Sequence, residues 1–223
     1  MGRRVVITGM GAISAIGGTT EEMWKNALDG VCGIEKLEPF SETEMKVSVA
    51  APVKNFDPTE FMDKMEVRRS ARFTQLAIGA ALAAIKQSGL DIGEEDAGRC
   101  GVAVSSGIGG LDVIEEEHYR GIKRGFDRVS PLFVPMSITN MAAGLVAIRL
   151  GFMGSCTATV TACASSTNSI GEAFRSIRDG YAEVMAAGGS ESCITEFGIG
   201  GFTAMRALSE ASDPKRASIP FDK

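Results

Sequence analysis

An α/β fold is predicted by three observations. Runs rich in Val, Ile, Thr and Ala recur at residues 4–8, 101–105, 156–161 and 183–188, with glycine at or near their ends. Between them lie segments whose apolar residues return at helical spacing and which stop at a glycine. No repeat or low-complexity linker interrupts the alternation. Short β-branched runs alternating with amphipathic helices are what a sheet layered with helices requires.

The first run, 4–8, leads into Gly9-Met10-Gly11. A dinucleotide-binding loop would need a third glycine at position 14 and an acidic residue closing the next strand. Ser14 stands there, and Pro39 and Phe40 interrupt the second region, so these glycines are read as a tight turn after a strand. The next element is a helix over 19–29. Thr19 and Glu22 spell a capping box, Met23, Trp24, Ala27 and Leu28 share one face, and Gly30 stops it. A minor hairpin is expected near 45–53. From Ser70 to Ser88 an alanine-rich helix with Phe73, Leu76, Ala77, Ala80, Ala81 and Ala84 predicts close packing on a sheet, and Gly89 ends it. A further helix is predicted from Thr139 to Leu150, before Gly151. The last begins after Cys163, carries Ile170, Ala173, Phe174 and Ile177 at helical spacing, and ends at Gly180.

Of the 223 residues, 44% are hydrophobic and 23% charged, ordinary values for a globular chain with a full core. One domain, with excursions, is the expected count. A net charge of -5 disfavours nonspecific binding to nucleic acid or to an anionic membrane, which needs a basic surface. No apolar run approaches the ~20 residues that span a bilayer. The run after Met1-Gly2-Arg3-Arg4 is too short for a signal-peptide core, so a cytoplasmic location is expected. The five cysteines, Cys32, Cys100, Cys156, Cys163 and Cys193, form no C-x-x-C pair, which predicts reduced thiols and no metal site. The single histidine, His118, follows Glu115-Glu116-Glu117 and is read as part of a solvated helix face.

Among these cysteines, Cys163 stands out. Thr161-Ala162-Cys163-Ala164-Ser165-Ser166 sets it between a run read as a buried strand and the start of a helix, with Ser165 and Ser166 as candidate caps. Unpaired N–H groups and the positive end of a helix dipole there favour a thiolate, the nucleophilic form. A small, buried, inert cysteine is the alternative that the residues alone leave open.

This segment and Ala186-Ala187-Gly188-Gly189-Ser190-Glu191 resemble the active-site region of the β-ketoacyl-acyl-carrier-protein synthases. Other stretches resemble further motifs of that family, in the same order. Val5-Val6-Ile7-Thr8-Gly9-Met10-Gly11 is similar to the opening strand and turn. Ser106-Gly107-Ile108-Gly109-Gly110 is similar to a pocket loop, and Pro131-Leu132-Phe133-Val134-Pro135 to a dimer-interface loop. Gly198-Ile199-Gly200-Gly201-Phe202 and Arg206-Ala207-Leu208-Ser209 complete the set, and among subtypes the likeness points to synthase II, the enzyme of fatty-acid elongation.

The resemblance implies a thiolase-like fold, five-layered α/β/α/β/α when complete, of which residues 1–223 would form the N-terminal half, a mixed sheet flanked by helices. It implies a homodimer, and Cys163 as the residue that accepts an acyl chain before decarboxylative condensation with a malonyl-carrier thioester. Gly107, Ile108, Gly201 and Phe202 would line the acyl pocket, and Phe133, Val134 and Ile138 would reach it across the dimer. Each of these is also a plausible core residue. Arg68, Arg69 and Arg206, with Lys123, Arg124 and Arg128 as further candidates, would meet an acidic acyl-carrier protein, while Lys64-Met65 falls where the family often has a basic pair. No cofactor is implied beyond the phosphopantetheine that carries the substrates. The family's two catalytic histidines, a lysine and a gating phenylalanine belong to a C-terminal half, so the chain is expected to be a fragment poor in condensation. A polyketide ketosynthase usually has an Asp near the cysteine, absent from Val160-Thr161-Ala162-Cys163-Ala164-Ser165, and a chain-length factor normally lacks the cysteine.

Overall fold

The computed structural model of the chain describes residues 3–37 and 45–222; Pro39 and Phe40 lie outside them. In chain order the elements are α1 (Thr20–Leu28), β1 (Glu35–Lys36), β2 (Val49–Ala50), α2 (Lys64–Arg68), α3 (Arg72–Ser88), β3 (Cys100–Ser105), α4 (Leu111–Arg124), α5 (Phe133–Ser137), α6 (Met141–Leu150), β4 (Cys156–Thr157), α7 (Ser165–Arg178), β5 (Val184–Gly189) and α8 (Glu196–Ala204). The chain divides into two compact units, Met1–Gly11 with Asp57–Ser192, and Ala12–Phe56 with Cys193–Lys223.

The first unit is built on a parallel sheet of order β4-β3-β5, with β3 paired to β5 from Cys100↔Val184 to Ser105↔Gly189. β3 is buried along its whole length, as a central parallel strand with both faces covered must be. Its period of two divides the labour between those faces. Cys100, Val102 and Val104 enter a core with Phe73, Ala77 and Ile78 of α3 and Ala142, Ala143, Val146 and Leu150 of α6. On the other face Ser105 and Ser169 of α7 share a buried hydrogen bond of 2.6 Å between their hydroxyls.

α3 and α6 occupy the predicted places. α3 begins two residues later than the sequence suggests, because the Ser70 hydroxyl donates to the Glu66 carbonyl and caps nothing in α3. Gly89 and Gly151 end the two helices in the left-handed conformation. α7 differs in how it packs. Its buried stripe is Ser165, Ser169 and Ala173, while Ile170 and Phe174 are exposed, so small side chains bring the helix close to the sheet. α4 carries the acidic run; His118 is exposed, but Glu117 is 5% exposed and accepts from the Ser130 N–H at 2.7 Å and pairs with Arg120 at 2.6 Å. The expectation of a wholly solvated face is corrected at that residue.

The strand predicted at 4–8 is not formed. A β-branched run needs a neighbouring backbone to pair with, and among the described residues none is laddered to it; Ile7 is 80% exposed. The Gly9 and Gly11 reading also changes. Neither has a positive φ, and a Cβ on either would collide with the Ala84 or Ala80 carbonyl of α3, so these glycines serve close approach to a helix. The run at 156–161 is strand only at Cys156–Thr157, and both residues are exposed.

The second unit holds α1, the antiparallel pair β1-β2 and α8. Val49–Ala50 pairs upstream with Glu35–Lys36, so the expected hairpin within 45–53 is replaced by a pairing between more distant segments. Thr19 caps α1 by accepting from the Glu22 N–H at 3.1 Å, and Glu22 reaches back to Gly18 N–H at 2.9 Å, one residue beyond the box the spelling predicts. No residue of α1 is buried, and its apolar face with Trp24 and Leu28 is open. Among the described residues no helix is long and apolar enough to cross a membrane.

Candidate active site

The turn that presents Cys163 is held by residues within seven positions of one another. The Ser165 hydroxyl accepts from the Thr161 N–H at 2.9 Å and donates to the Ala162 carbonyl at 2.6 Å. Asn168 Nδ2 donates to Thr161 Oγ1 at 2.7 Å. These bonds close the chain tightly enough to hold Ala162 at φ 52°, a left-handed conformation that costs an alanine on the order of 1 kcal/mol. Strain of this kind, kept by surrounding bonds, is a pointer to a functional position. Cys163 follows it and is exposed, two residues before the first residue of the fourteen-residue helix α7. Ser165 is the first helical residue and its hydroxyl serves the turn; Ala164 occupies the cap position without a side-chain bond. The expected capping by Ser165 and Ser166 is thereby corrected.

A second segment meets this turn. After β3 the chain forms the loop Ser106-Gly107-Ile108-Gly109, and Glu191, just beyond β5, binds it. Its carboxylate accepts from Ser106 Oγ at 3.0 Å, from Gly107 N–H at 2.9 Å and from Ile108 N–H at 3.0 Å. Ser106 Oγ in turn accepts from the Gly109 N–H at 3.0 Å. A Cβ placed on Gly107 would lie 2.9 Å from Glu191 Oε2 and 3.5 Å from the Ala162 carbonyl oxygen, so the loop abuts the cysteine turn where it has no side chain. Gly107 and Ile108 are therefore brought to Cys163, but their N–H groups are committed to Glu191 and present no donors to a substrate. Gly109 continues onto α5: its φ is +85°, and a Cβ there would fall 2.7 Å from the Ser137 carbonyl.

The other predicted residues are spread more widely. Phe133 packs on the core of the first unit, while Val134 and Ile138 are exposed. Gly201 and Phe202 lie on α8 in the second unit. Arg68 ends α2, Arg69 follows it, and both are exposed without an ion pair among the described residues. Arg206, also exposed, stands just past α8 with φ 56°. Burial pushes the Cys100 thiol above its ordinary range, which sets it against nucleophilic use. Among the described residues no group of three or more His, Cys, Asp and Glu could hold a metal ion. Ser165, Asn168 and Glu191 gain structural roles that the sequence reading did not assign. The spacing of Ser165 and Asn168, four and seven residues after Thr161, was a usable signal, whereas nothing near Glu191 in the sequence names its partners.

A parallel-sheet α/β unit that exposes a thiol on a strained turn at the start of a long helix belongs to the class of α/β folds whose geometry allows a cysteine nucleophile. Within that class the chain belongs to the β-ketoacyl synthase family: the family described as "Beta-ketoacyl synthase, N-terminal domain" matches residues 2–223. It is 49% identical over 221 residues to 3-oxoacyl-[acyl-carrier-protein] synthase 2 of Staphylococcus aureus (strain COL), covering 99% of this chain and 53% of that protein. To the protein of the same name from Vibrio harveyi it is 47% identical, over 99% of this chain and 54% of that protein. The crystal structure of a β-ketoacyl synthase from Burkholderia phymatum STM815 superposes with a TM-score of 0.87 at 27% identity, over 100% of this chain and 55% of that one. The chain thus spans about half the length of the curated relatives it matches, and the thiolase-like expectation holds for that half.

Proposed function

We propose that the chain is the acyl-accepting half of a condensing enzyme of the 3-oxoacyl-[acyl-carrier-protein] synthase 2 type, acting in fatty-acid elongation. The observation that carries this reading is the exposed Cys163 on its strained turn, within a family match that spans the chain. The thiolate of Cys163 attacks the carbonyl of an acyl thioester on the carrier's phosphopantetheine; the carbon–sulfur bond to the carrier breaks, and the departing thiolate takes up a proton. One thioester replaces another, so the step costs little free energy and leaves the carbonyl activated for the next. The Cys163 N–H is proposed as one donor to the oxyanion that develops on the way. Decarboxylation of a malonyl thioester then releases carbon dioxide, and attack of its carbanion on the acyl-cysteine carbonyl breaks the carbon–sulfur bond to Cys163, freeing its thiolate and yielding a β-ketoacyl product two carbons longer. By the resemblance, the histidines of this second step belong to the half of the relatives that the chain does not span.

The remaining assignments belong to the same proposal. Gly107 and Ile108, with Gly201 and Phe202, are assigned to the acyl pocket. Phe133 and the exposed Val134 and Ile138 are assigned to the same pocket, reached across a homodimer contact. Arg68, Arg69 and Arg206, each exposed, suit the phosphate and carboxylates of an acidic carrier through paired donors. No cofactor besides the carrier's phosphopantetheine enters, and the setting is cytoplasmic. Intact-mass spectrometry after incubation with an acyl-carrier thioester tests the reading. One acyl adduct per chain, confined to Cys163 and abolished by Cys163→Ala, is expected. Labelling elsewhere, or none on the folded chain, overturns it.

A further inference from the structure

Glu191 has no part in the thioester chemistry proposed above, yet its carboxylate accepts from four donors, three of them on the loop after β3. It sits just past the C-terminal end of β5, beside the end of β3, where Ser190 N–H extends the ladder to the Ser105 carbonyl at 3.0 Å and Ser190 Oγ donates to the Phe73 carbonyl at 2.7 Å. Its backbone is thus fixed from two sides. The side chain crosses to the loop after β3 and accepts from two consecutive N–H groups and one hydroxyl, at 2.9, 3.0 and 3.0 Å. Two adjacent N–H groups aimed at one carboxylate oxygen form an anion-binding concavity, filled here by the protein's own charge. That occupied concavity lies against the Ala162 carbonyl, the residue before the nucleophile. A charged acceptor strengthens each of these hydrogen bonds over a neutral one.

We propose that Glu191 is a positioning residue for acyl transfer: it latches the 106–109 loop against the Cys163 turn, and through Ile108 sets the wall along which the acyl chain lies. The assignment rests on the acyl-transfer reading above. Its carboxylate is an acceptor for the loop and neither base nor nucleophile, so the charge matters through geometry. Gln at 191 would turn an N–H₂ toward one or more of these donors, and Ala would release all four, the Ser192 N–H at 3.3 Å included. Asp keeps the charge but is one methylene short, so it recovers the latch in part.

The test uses the full 223-residue chain and Glu191→Gln, Glu191→Ala and Glu191→Asp. Two measurements are made: amide hydrogen exchange at residues 106–109, and the limiting rate of Cys163 acylation by acyl-pantetheine thioesters of short and long chain, with iodoacetamide alkylation as a measure of the thiol itself. In Gln and Ala variants, exchange at 106–109 should rise, and long-chain acylation should slow about tenfold or more, since sub-ångström misplacement of a reacting pair carries penalties of that order. Short-chain acylation should slow less, iodoacetamide alkylation should stay within about twofold because it needs no wall, and Asp should restore part of the loss. Unchanged exchange with slowed acylation would overturn the latch. Raised exchange with unchanged acylation, or equal loss for short chains and for iodoacetamide, would overturn its role in positioning. If the unaltered chain alkylates at Cys163 but takes no acyl group from any thioester, the acyl-transfer reading fails first and this inference falls with it.

Discussion

The cysteine turn and the loop beside it meet at the Ala162 carbonyl, yet they are held in opposite ways. Thr161 to Asn168 is a local device: its hydrogen bonds span four, three and seven positions, and its strain is absorbed within one turn of chain. The loop 106–109 is held from 83 to 85 positions away, by a carboxylate that belongs to another strand's end. A local device forms with its helix. A remote one forms only when the sheet has brought β3 and β5 together, so the loop reports on the assembled first unit and the turn on its own sequence.

The largest effect should come from Gly109→Ala. At φ +85° a Cβ is disfavoured in any case, and here it would also press on the Ser137 carbonyl at 2.7 Å. A loss of about 2–4 kcal/mol is expected, combining backbone strain with displacement of α5. Chemical denaturation measures it. A loss below about 0.5 kcal/mol, the range of a surface change, would show that the loop is free to relax and is not held as described. Ser165→Ala probes the turn and should cost less, about 1–3 kcal/mol, because a buried hydroxyl that makes two bonds is removed and the Thr161 N–H loses its acceptor. The cysteine should then acylate more slowly while residues 106–109 keep their exchange protection. Loss of protection in both segments would mean that they form one unit after all.

How much of this was legible beforehand follows the same division. Helices with their own terminators, α3 and α6 before Gly89 and Gly151, were placed to within two residues, since capping and apolar period are written in neighbouring positions. Cys163 stood out from its place before a helix, but the residues alone left a buried, inert cysteine equally open; the structure shows the thiol exposed. The role of Ser165 was misread as a cap because cap and turn bond draw on the same hydroxyl, and only geometry separates them. The run at 4–8, unpaired among the described residues, looked like a strand because propensity describes the residue, whereas a ladder needs a neighbour. Ile170 and Phe174 looked like the buried face of α7, but Ser165, Ser169 and Ala173 win it because the sheet is approached closely. Glu191 could not be read at all, since its meaning lies wholly in which backbone the topology sets before it.

The smallest effect concerns a second carboxylate beside the same loop, and it sharpens the contrast with Glu191. Asp112 lies in the first turn of α4, just after Gly109-Gly110, and accepts from its neighbour Val113 N–H at 2.9 Å. Burial holds its carboxyl above the ordinary carboxylate range, and the hydrogen bonds from the Val113 and Arg72 backbones do not offset that. The folded chain therefore binds this proton at a higher pH than the unfolded chain does. Between the two values stability falls as pH rises, and above the folded value the ionised carboxylate is a standing penalty. Asp112→Asn keeps an acceptor for Val113 and removes the charge, so at neutral pH it should raise the unfolding temperature by about 1–2 °C. That gain should vanish as pH falls through the raised value, where the native carboxyl is already neutral. Thermal unfolding across that range decides the sign: a variant less stable at neutral pH would place the Asp112 charge among the groups that hold the loop, as the Glu191 charge is, and would remove the difference between them.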